Sequence, residues 1–482
     1  MFDSTSRVFA RRKPIAACLA TALCLAAPAA AIATPTTWTV NTCSEANTGS
    51  GTTGSLRFAA QNAVSGDTID LTNIGCSTIS LTTGGGGAVT FGQTDITLNG
   101  PGKTALAIQS SDGRILRHTG NGTLSVNDLT VANGYDHPSL GSTAAGGCIR
   151  SNGKVSLRHA AVRSCRAVAV GAPVRGGGIY AATGIFAKYS DITGNIASNS
   201  GANVNGGGGG MFTYGYAILG SSTLSGNSAQ TGAGGGVRAF AETRIIASTI
   251  SGNTAKWGGG IYAQDNLNSA SDAFTLLNST VSGNSALSRV GGAQTNAGTI
   301  HVYNSTVAFN TAGSATGYGS RHYAPGFAIS DSGAYYTDST HYAFKNVTLY
   351  SSAFSNNASG ISTTTADDFG ITRFSNLNLV PISGQNNFVF GTADPYLALP
   401  SATVTLGVCP LLGPLHDNGG PTKTHALMSH SPAIDTGNTS SPSLGIYDQR
   451  GLPRKSNGVA DVGSYEVQQN DVIFNNGHEG CS

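Results

Sequence analysis

The chain has 482 residues, of which 67 are glycine, and charged residues make up only 10% of it, with a formal net charge of +2 at pH 7. This composition excludes a disordered polyelectrolyte and a nucleic-acid-binding protein, because both need an excess of charge. It indicates a folded chain whose surface is covered largely by Ser, Thr, Asn and Gly.

The amino terminus has the pattern of a secretory signal peptide. Basic residues lie between Arg7 and Lys13, residues 16–31 are rich in Ala and Leu, and Ala31-Ile-Ala33 offers a cleavage site before Thr34. We expect residues 1–33 to be removed and the mature protein to carry no membrane span. A retained membrane helix is the alternative, which Pro28 and the small residues near it disfavour.

Six cysteines remain after this cleavage, an even number in an exported chain. We predict disulfides that join Cys43 with Cys76, Cys148 with Cys165, and Cys409 with Cys481. Metal binding is the alternative, but no Cys-x-x-Cys spacing supports it. We expect no metal and no cofactor; calcium is conceivable for a lyase, but no cluster of carboxylates supports it.

Only one stretch is predicted to be helical, Ser55-Leu-Arg-Phe-Ala-Ala-Gln-Asn-Ala63. Ser55 is a plausible N-cap, and Leu56 lies on one face with three alanines. The stretch precedes the first β-prone run, Thr68-Ile-Asp-Leu71. An open strand edge at the start of the fold would polymerise, so we predict that this helix is an amino-terminal cap.

A short phrase recurs five times in the middle of the chain: Asp191-Ile-Thr-Gly-Asn195, Ser222-Thr-Leu-Ser-Gly-Asn227, Ser248-Thr-Ile-Ser-Gly-Asn253, Ser279-Thr-Val-Ser-Gly-Asn284 and Ser305-Thr-Val-Ala-Phe-Asn310. A second phrase lies between the copies: Gly176-Gly-Gly-Ile-Tyr180, Gly208-Gly-Gly-Met-Phe212, Gly234-Gly-Gly-Val-Arg238 and Gly258-Gly-Gly-Ile-Tyr262. Such self-similarity marks a repeat architecture.

The repeat predicts an all-β fold. Asparagines 195, 227, 253, 284 and 310 are spaced by 32, 26, 31 and 26 residues, and each interval holds two or three short strand-like runs. We predict a right-handed parallel β-helix, a solenoid whose coils stack about 4.8 Å apart behind the helical cap. The asparagines should form a ladder of amide hydrogen bonds, and the glycines should allow tight turns.

Two regions resemble known families. The order Cys43, Ser55-Leu-Arg57, Gly66-Asp-Thr-Ile69 and Cys76 resembles bacterial extracellular right-handed β-helix proteins with a Cys-Ser-Leu-Arg-Glu-Ala motif, although an insertion follows Cys43 and Phe58 replaces the acidic residue. The coils resemble the repeats of pectate-lyase-like and polymorphic outer-membrane proteins. Four carboxy-terminal segments resemble the choice-of-anchor Q domain: Asp417–Leu427, Ser431–Asp435, Asp448–Gly451 and Asp461–Glu466.

These resemblances imply a protein that is secreted or displayed on the surface of a Gram-negative-type cell, with His425 and His430 in structural roles. They do not imply one activity, because the fold carries adhesins, lyases and hydrolases. The implied organisation is a signal peptide at 1–33, a cap and first coils at 34–115, β-helix repeats at 116–400, and a choice-of-anchor Q-like region and tail at 401–482.

The first candidate site is an aromatic insertion at residues 313–345. From Asn304-Ser-Thr to Asn346-Val-Thr is 42 residues where 26 would suffice, and long insertions are often functional. Aromatic rings stack on sugars, and Arg and His bond hydroxyls or carboxylates. The predicted substrate-binding residues are Tyr318, Arg321, His322, Tyr323, Tyr335, Tyr336 and His341. Alternatively, these aromatics pack against the outside of the coils.

The second candidate site follows the Gly-rich phrases. In register, stacked coils would place on one face Arg150, Tyr180, Phe212, Arg238 and Tyr262. Arg and Tyr beside acids could deprotonate a uronate, so the catalytic candidates are Arg238, Glu242, Asp265 and His322. The alternative is the ordinary ladder packing of a solenoid.

We therefore expect a protein that binds glycans or mediates surface adhesion, with an extracellular polysaccharide or a cell-surface glycan as its partner. One alternative is a polysaccharide lyase or glycosidase that acts on an extracellular polysaccharide and draws its acids and bases from different coils. Another is a structural spacer without a site.

Overall fold

The structure is a computed structural model that describes residues 34–201, 206–264, 273–313, 324–330, 346–360, 362–372, 382–392, 399–441, 445–469, 471 and 481. The predicted fold class is confirmed. Most of the described strands pair in parallel, and Pro35–Ser482 forms one compact unit. No helix among the described residues is long and apolar enough to cross a membrane.

Each regular coil contains four strands, more than the two or three that the sequence predicted. In one coil these strands are Tyr216–Gly220, Thr223–Ser225, Ser228–Ala233 and Val237–Ala239. Each strand pairs in parallel with the equivalent strand of the next coil. The additional strand arises because the residues after each Gly-Gly-Gly triplet are themselves extended. We number the sheets 1 to 4 in the order in which a coil passes through them.

The strands of sheet 1, in chain order, are Thr37–Val40, Gly49–Ser50, Thr53–Gly54, Thr68–Asp70, Ile96–Asn99, Thr123–Asn127, Lys154–Arg158, Gly184–Lys188, Tyr216–Gly220, Thr243–Ile246, Ala273–Leu277, Thr299–Tyr303, Asn346–Tyr350 and Ile382–Gln385. The strands of sheet 2 are Thr78–Leu81, Ala107–Ser110, Thr130–Ala132, Ala161–Arg163, Asp191–Thr193, Thr223–Ser225, Thr249–Ser251, Thr280–Ser282, Thr306–Ala308, Ala353–Ser355, Asn387–Val389 and Val404–Leu406.

The strands of sheet 3 are Tyr135–Asp136, Arg166–Ala169, Ile196–Asn199, Ser228–Ala233, Thr254–Trp257, Ser285–Arg289, Thr311–Ala312, Ala358–Ser359 and Ser362–Ala366, with a small pair, Ala144–Ala145 and Val174–Arg175, beside them. The strands of sheet 4 are Val89–Phe91, Leu116–His118, Ile149–Ser151, Ile179–Ala181, Met211–Thr213, Val237–Ala239, Ile261–Ala263, Ala293–Thr295, Phe327–Ser330 and Phe369–Thr372.

The core runs along the inside of the coils. Side chains alternate across a strand, so Ala217 and Leu219 of one sheet 1 strand are buried while the residues between and beside them are partly exposed. In later coils aromatic residues fill the interior, where Phe327 packs on Phe369 with ring centres 5.5 Å apart. Because Phe327 is fully buried, this aromatic residue of the insertion belongs to the core.

The predicted asparagine ladder is confirmed. Asn195 Nδ2 donates to Asn227 Oδ1 at 2.9 Å, and the same bond repeats through Asn253, Asn284 and Asn310. The ladder extends one coil further to Asn357, whose amide donates to Asp368 Oδ1 at 2.7 Å. A carboxylate suits this last position because Asp368 needs only to accept hydrogen bonds there.

One predicted alignment is wrong. Asn304 does not align with Asn346, because Thr299 pairs with Asn346 and the backbone N–H of Asn304 donates to the carbonyl of Tyr350. The coil that holds the insertion therefore runs from Asn310 to Asn357 and spans 47 positions, against 26 in the preceding coil. The resemblance of Asn346-Val-Thr to Asn304-Ser-Thr is misleading, since it is five positions out of register.

The triple glycines are needed because neighbouring coils approach closely at this turn. A Cβ atom at Gly235 would lie 2.3 Å from the carbonyl oxygen of Gly259 in the next coil. Gly234 adopts a φ of 70°, which glycine tolerates best. These residues act in the turn, as predicted.

The predicted cap and disulfides are present. The helix spans Leu56–Asn62, and the Ser55 hydroxyl accepts a hydrogen bond from the backbone N–H of Phe58 at 3.2 Å. Leu56 belongs to the same buried cluster as the coils. The disulfides join Cys43 to Cys76, Cys148 to Cys165, and Cys409 to Cys481.

Residues 412–441 and 445–466, which we term the strap, lie along the outside of sheet 2. The strap begins with an antiparallel hairpin, Leu412–His416 and Thr424–Leu427. It then bonds hydroxyl groups of successive sheet 2 strands: Thr280 Oγ1 donates to Gln449 Oε1 at 2.7 Å, and the N–H of Ser464 donates to Thr306 Oγ1 at 3.1 Å.

The carboxy-terminal sequence motifs stabilise the strap itself. Arg450 Nε donates to Asp448 Oδ2 at 2.9 Å, and its guanidinium lies 3.7 Å from the centre of the Tyr465 ring. His425 is buried between Ser282 Oγ and the carbonyl of Gly413, 2.7 Å from each. In the described part of the strap, the side chains of Arg450, Asp448 and His425 are therefore held by contacts with other groups of the protein.

Candidate functional site

The outer face of sheet 4 carries a column of arginine and aromatic side chains. The central residue of each three-residue strand points outward because its two neighbours point into the core. Strand pairing places in register Arg117, Arg150, Tyr180, Phe212, Arg238, Tyr262 and Gln294. We call these seven residues the outer column, and five of them were predicted from sequence.

Aromatic residues beside the column enlarge it into a patch. Phe212 is only 2% exposed although it lies outside the β-helix core. Tyr180, Tyr214 and Phe240 surround it, with ring centres 6.0, 5.1 and 5.6 Å from its own. Tyr214 remains 39% exposed. The ladder packing that the sequence left open as an alternative is therefore real for Phe212. Tyr214 stays partly exposed, with the Arg175 guanidinium carbon 5.3 Å from the centre of its ring.

Arg238 is held by rings and carbonyls. Its guanidinium carbon lies 4.9 Å from the centre of the Phe240 ring and 5.5 Å from that of Tyr262. Nη1 donates to the carbonyl of Gly206 at 2.6 Å, and Nη2 donates to Gln264 Oε1 at 3.2 Å. Burial lowers the pKa of Arg238, and the neighbouring Arg175 lowers it further.

Positive charge accumulates along this face. Burial lowers the pKa of Arg114, and the nearby Arg150 and Arg117 act in the same direction, against the attraction of Asp136. Arg114 pairs with Asp136 at 2.7 Å. Arg117, Arg150 and Arg175 form no ion pair with a carboxylate in the described part of the chain. The patch therefore has unneutralised guanidinium groups.

The structure does not bring the catalytic candidates together within the described residues. Glu242 pairs with Arg244 at 2.6 Å, and no ion pair connects it to Arg238. Asp265 and His322 lie outside the described residues. Proton abstraction by Arg238 with a neighbouring acid therefore has no geometry here to support it.

The predicted residues of the insertion lie outside the described residues: Tyr318, Arg321, His322, Tyr323, Tyr335, Tyr336 and His341. The described chain on either side of them belongs to the sheet 4 strand Phe327–Ser330, to Thr311–Ala312 of sheet 3 and to Asn346–Tyr350 of sheet 1. The insertion thus interrupts the chain where it enters and leaves sheet 4, the sheet with the outer column.

Sequence reasoning missed the flanking members of the patch. Tyr214 and Phe240 each lie two positions after a column residue, a spacing that places both side chains on one face of an extended strand. This spacing of two residues is the sequence pattern that could have predicted both residues. Arg114 and Arg175 carried none, because both lie before the sheet 4 strand of their coil, Arg114 outside any strand and Arg175 in the short strand Val174–Arg175.

No family model matches the chain, and no curated protein matches it. Among solved structures, the crystal structure of pectate lyase Pel9A is similar, with 13% sequence identity, a TM-score of 0.47, and coverage of 90% of this chain and 97% of that chain. A similarity of this size does not bear on the residues of the patch.

Proposed function

We propose that this protein is secreted or surface-displayed and binds glycans along the outer face of sheet 4. One observation carries the proposal: the outer face of sheet 4 combines guanidinium groups that form no ion pair within the described residues, at Arg117 and Arg150 of the outer column, with the partly exposed ring of Tyr214 beside the column. Guanidinium groups bind carboxylates and sulfates through paired hydrogen bonds, while ring faces stack on sugars. An anionic glycan fits both features.

The geometry of the column favours a polymer over a small ligand. Equivalent residues of successive coils lie about 4.8 Å apart, so the column offers similar groups repeatedly along one line. An extended polysaccharide can contact several coils at once, which strengthens binding without a deep pocket. Adhesion to a glycan-coated surface would use the same contacts.

An exported protein is consistent with the three disulfides, which form and persist in oxidising compartments. The signal peptide, the domain boundaries and the choice-of-anchor Q identity of residues 401–482 are part of the proposal. The seven aromatic, Arg and His residues predicted in the insertion also belong to it, as further contacts for the glycan.

A polysaccharide lyase or glycosidase is the second candidate. A lyase would need a base on this face, and Arg238 already donates to the carbonyl of Gly206 and to Gln264. Glycoside hydrolysis would instead need two carboxylates facing one bond.

Both functions can be tested with purified residues 34–482 and a panel of acidic and neutral polysaccharides. Retention of acidic polysaccharides without chemical change would support binding. A rise in ultraviolet absorbance with unsaturated products would establish a lyase, and shortened saturated products a glycosidase. If no polysaccharide is retained or changed, the proposal fails.

A further inference from the structure

A second, separate groove lies where sheet 1 turns into sheet 2. In each of six successive coils, one residue occupies this corner with a positive φ between 47° and 53°: Asp128, His159, Tyr189, Ser221, Ala247 and Asn278. The backbone N–H groups of Tyr189 and Ser221 bond the next coil, at the carbonyls of Gly220 and Ile246. These six residues therefore stack, and we call them the corner ladder.

Two stacked rings of the corner ladder are followed by two small side chains. His159 and Tyr189 are parallel within 11°, with ring centres 5.0 Å apart. The next two rungs, Ser221 and Ala247, are too small to cover the other face of Tyr189. Tyr189 is therefore 37% exposed, and about 10 Å of the ladder, two coil spacings, lacks large side chains.

The strap closes the far side of this gap. Asn278, the next rung, donates from Nδ2 to the carbonyl of Tyr447 at 3.0 Å and accepts from Arg454 Nη2 at 2.8 Å. Ile446 and Tyr447 remain 73% and 52% exposed at the rim. The result is a groove of about 480 Å³ lined by Tyr189, Ser221, Ala247, Asn278 and strap residues. This volume lies in the range of small-ligand sites.

The lining contains no unpaired charge. Its charged groups, Asp448 and Arg450, are buried and bonded to each other. Lys188, whose amine lies 5.1 Å from the centre of the Tyr189 ring, does not line the groove. The hydroxyl groups of Tyr189, Ser221 and Tyr447 make no hydrogen bonds within the described part of the chain and can bond a ligand. The groove combines the partly exposed ring of Tyr189, uncharged hydroxyls and room for a flat ring.

We propose that this groove binds a neutral pyranose sugar, stacked on Tyr189 as a missing rung of the corner ladder. Its apolar ring face contacts Tyr189, and its hydroxyl groups bond Ser221 and Tyr447. The site is independent of the cationic outer column on sheet 4, so it stands or falls separately from the proposed function.

The test uses methyl β-glucoside, methyl β-galactoside and cellobiose as probes, with binding to full-length mature protein followed by ligand-observed NMR and titration calorimetry. Tyr189→Ala removes the stacking face and is expected to weaken binding about fivefold to tenfold. Ser221→Tyr fills the gap, and a large side chain is tolerated at this φ because Tyr189 itself has a φ of 52°. This variant is expected to abolish binding while leaving thermal unfolding unchanged.

Tyr214→Ala is the matched control, because it removes an exposed tyrosine from the sheet 4 patch and should leave neutral sugar binding unchanged. Conversely, Tyr189→Ala should leave the retention of acidic polysaccharide unchanged. The proposal is overturned if the wild-type protein binds none of the three probes, if Ser221→Tyr binds them as well as wild type, or if only an aromatic probe such as indole binds.

Discussion

The guanidinium carbon of Arg238 lies 5.7 Å from the centre of the Phe212 ring, which is on the adjacent strand of sheet 4. Arg150 lies on the same face of the sheet, three strands away from Arg238. Arg238 is thereby held between aromatic rings on a rigid sheet. A cation fixed in this way loses little side-chain entropy when an anion binds. The relationship explains why aromatic and basic residues share one column.

Phe240→Ala should weaken binding of acidic polysaccharide, although Phe240 carries no charge. The substitution frees the Arg238 guanidinium from the ring 4.9 Å away and exposes Phe212. We expect about a fivefold loss of affinity, in the range of one aromatic or cation–π contact. Retention on a polysaccharide column measures it. Tyr350→Ala, which removes an outward aromatic from sheet 1, is the control; equal losses in both variants would contradict the role of the sheet 4 face.

Asn253→Ala should destabilise the β-helix by at least about 3 kcal/mol, because several buried polar groups lose their partners at once. The Asn253 amide donates to Asn284 Oδ1 and to the carbonyl of Leu224, and its oxygen accepts from Asn227. Denaturant unfolding measures the change. The exposed Asn121→Ala should be neutral, and an Asn253 variant as stable as this control would show that the ladder contributes nothing.

Acid should loosen the strap through His425. Burial lowers the pKa of His425 from 6.5 to about 4. A buried imidazole with a depressed pKa stabilises the fold at pH values above 6.5, and this contribution of about 3 kcal/mol is lost as the pH falls towards 4. Glu466 acts in the opposite direction: burial raises its pKa to about 8, so its contribution is lost as the pH rises.

The two effects are separated by comparing wild type with His425→Gln between pH 7 and pH 4.5, following thermal unfolding. Wild type should lose more stability over this interval than the variant, because Gln does not titrate. Parallel pH profiles for the two proteins would contradict the assignment to His425.

Purified residues 34–482 should contain no free thiol, because their six cysteines form three disulfides. Intact mass after alkylation without reductant should be unchanged, and reduction should allow six adducts. Alkylation of six thiols without reductant would mean that the disulfides do not form in the protein as isolated.

Much of the fold could be predicted because its local sequence repeats. The Ser-Gly-Asn phrase predicted the ladder and its register from Asn195 to Asn310, since a buried asparagine has few alternatives to bonding its counterpart in the next coil. The prediction of the register failed at Asn346, because the insertion changed the spacing between equivalent residues. Asn346-Val-Thr resembles Asn304-Ser-Thr only by chance.

The path of the strap could not be predicted. Thr249, Thr280 and Thr306 occupy outward positions of sheet 2, which ordinarily face solvent, and only the folded chain shows them bonded to the strap. The corner groove depends on the same contact, because its far wall comes from residues more than 150 positions away from Ser221 in sequence. Contacts between residues so far apart in the sequence leave no periodic pattern in it.

The most direct test of the proposed function is retention of wild-type protein on an acidic polysaccharide at increasing salt, compared with Arg117→Gln/Arg150→Gln. The control, Arg158→Gln/Arg163→Gln, removes the same charge from exposed positions on sheets 1 and 2 of the same region. Loss of retention in the column variant alone is the predicted result. Equal retention of both variants, or equal loss, would contradict binding at the outer face of sheet 4.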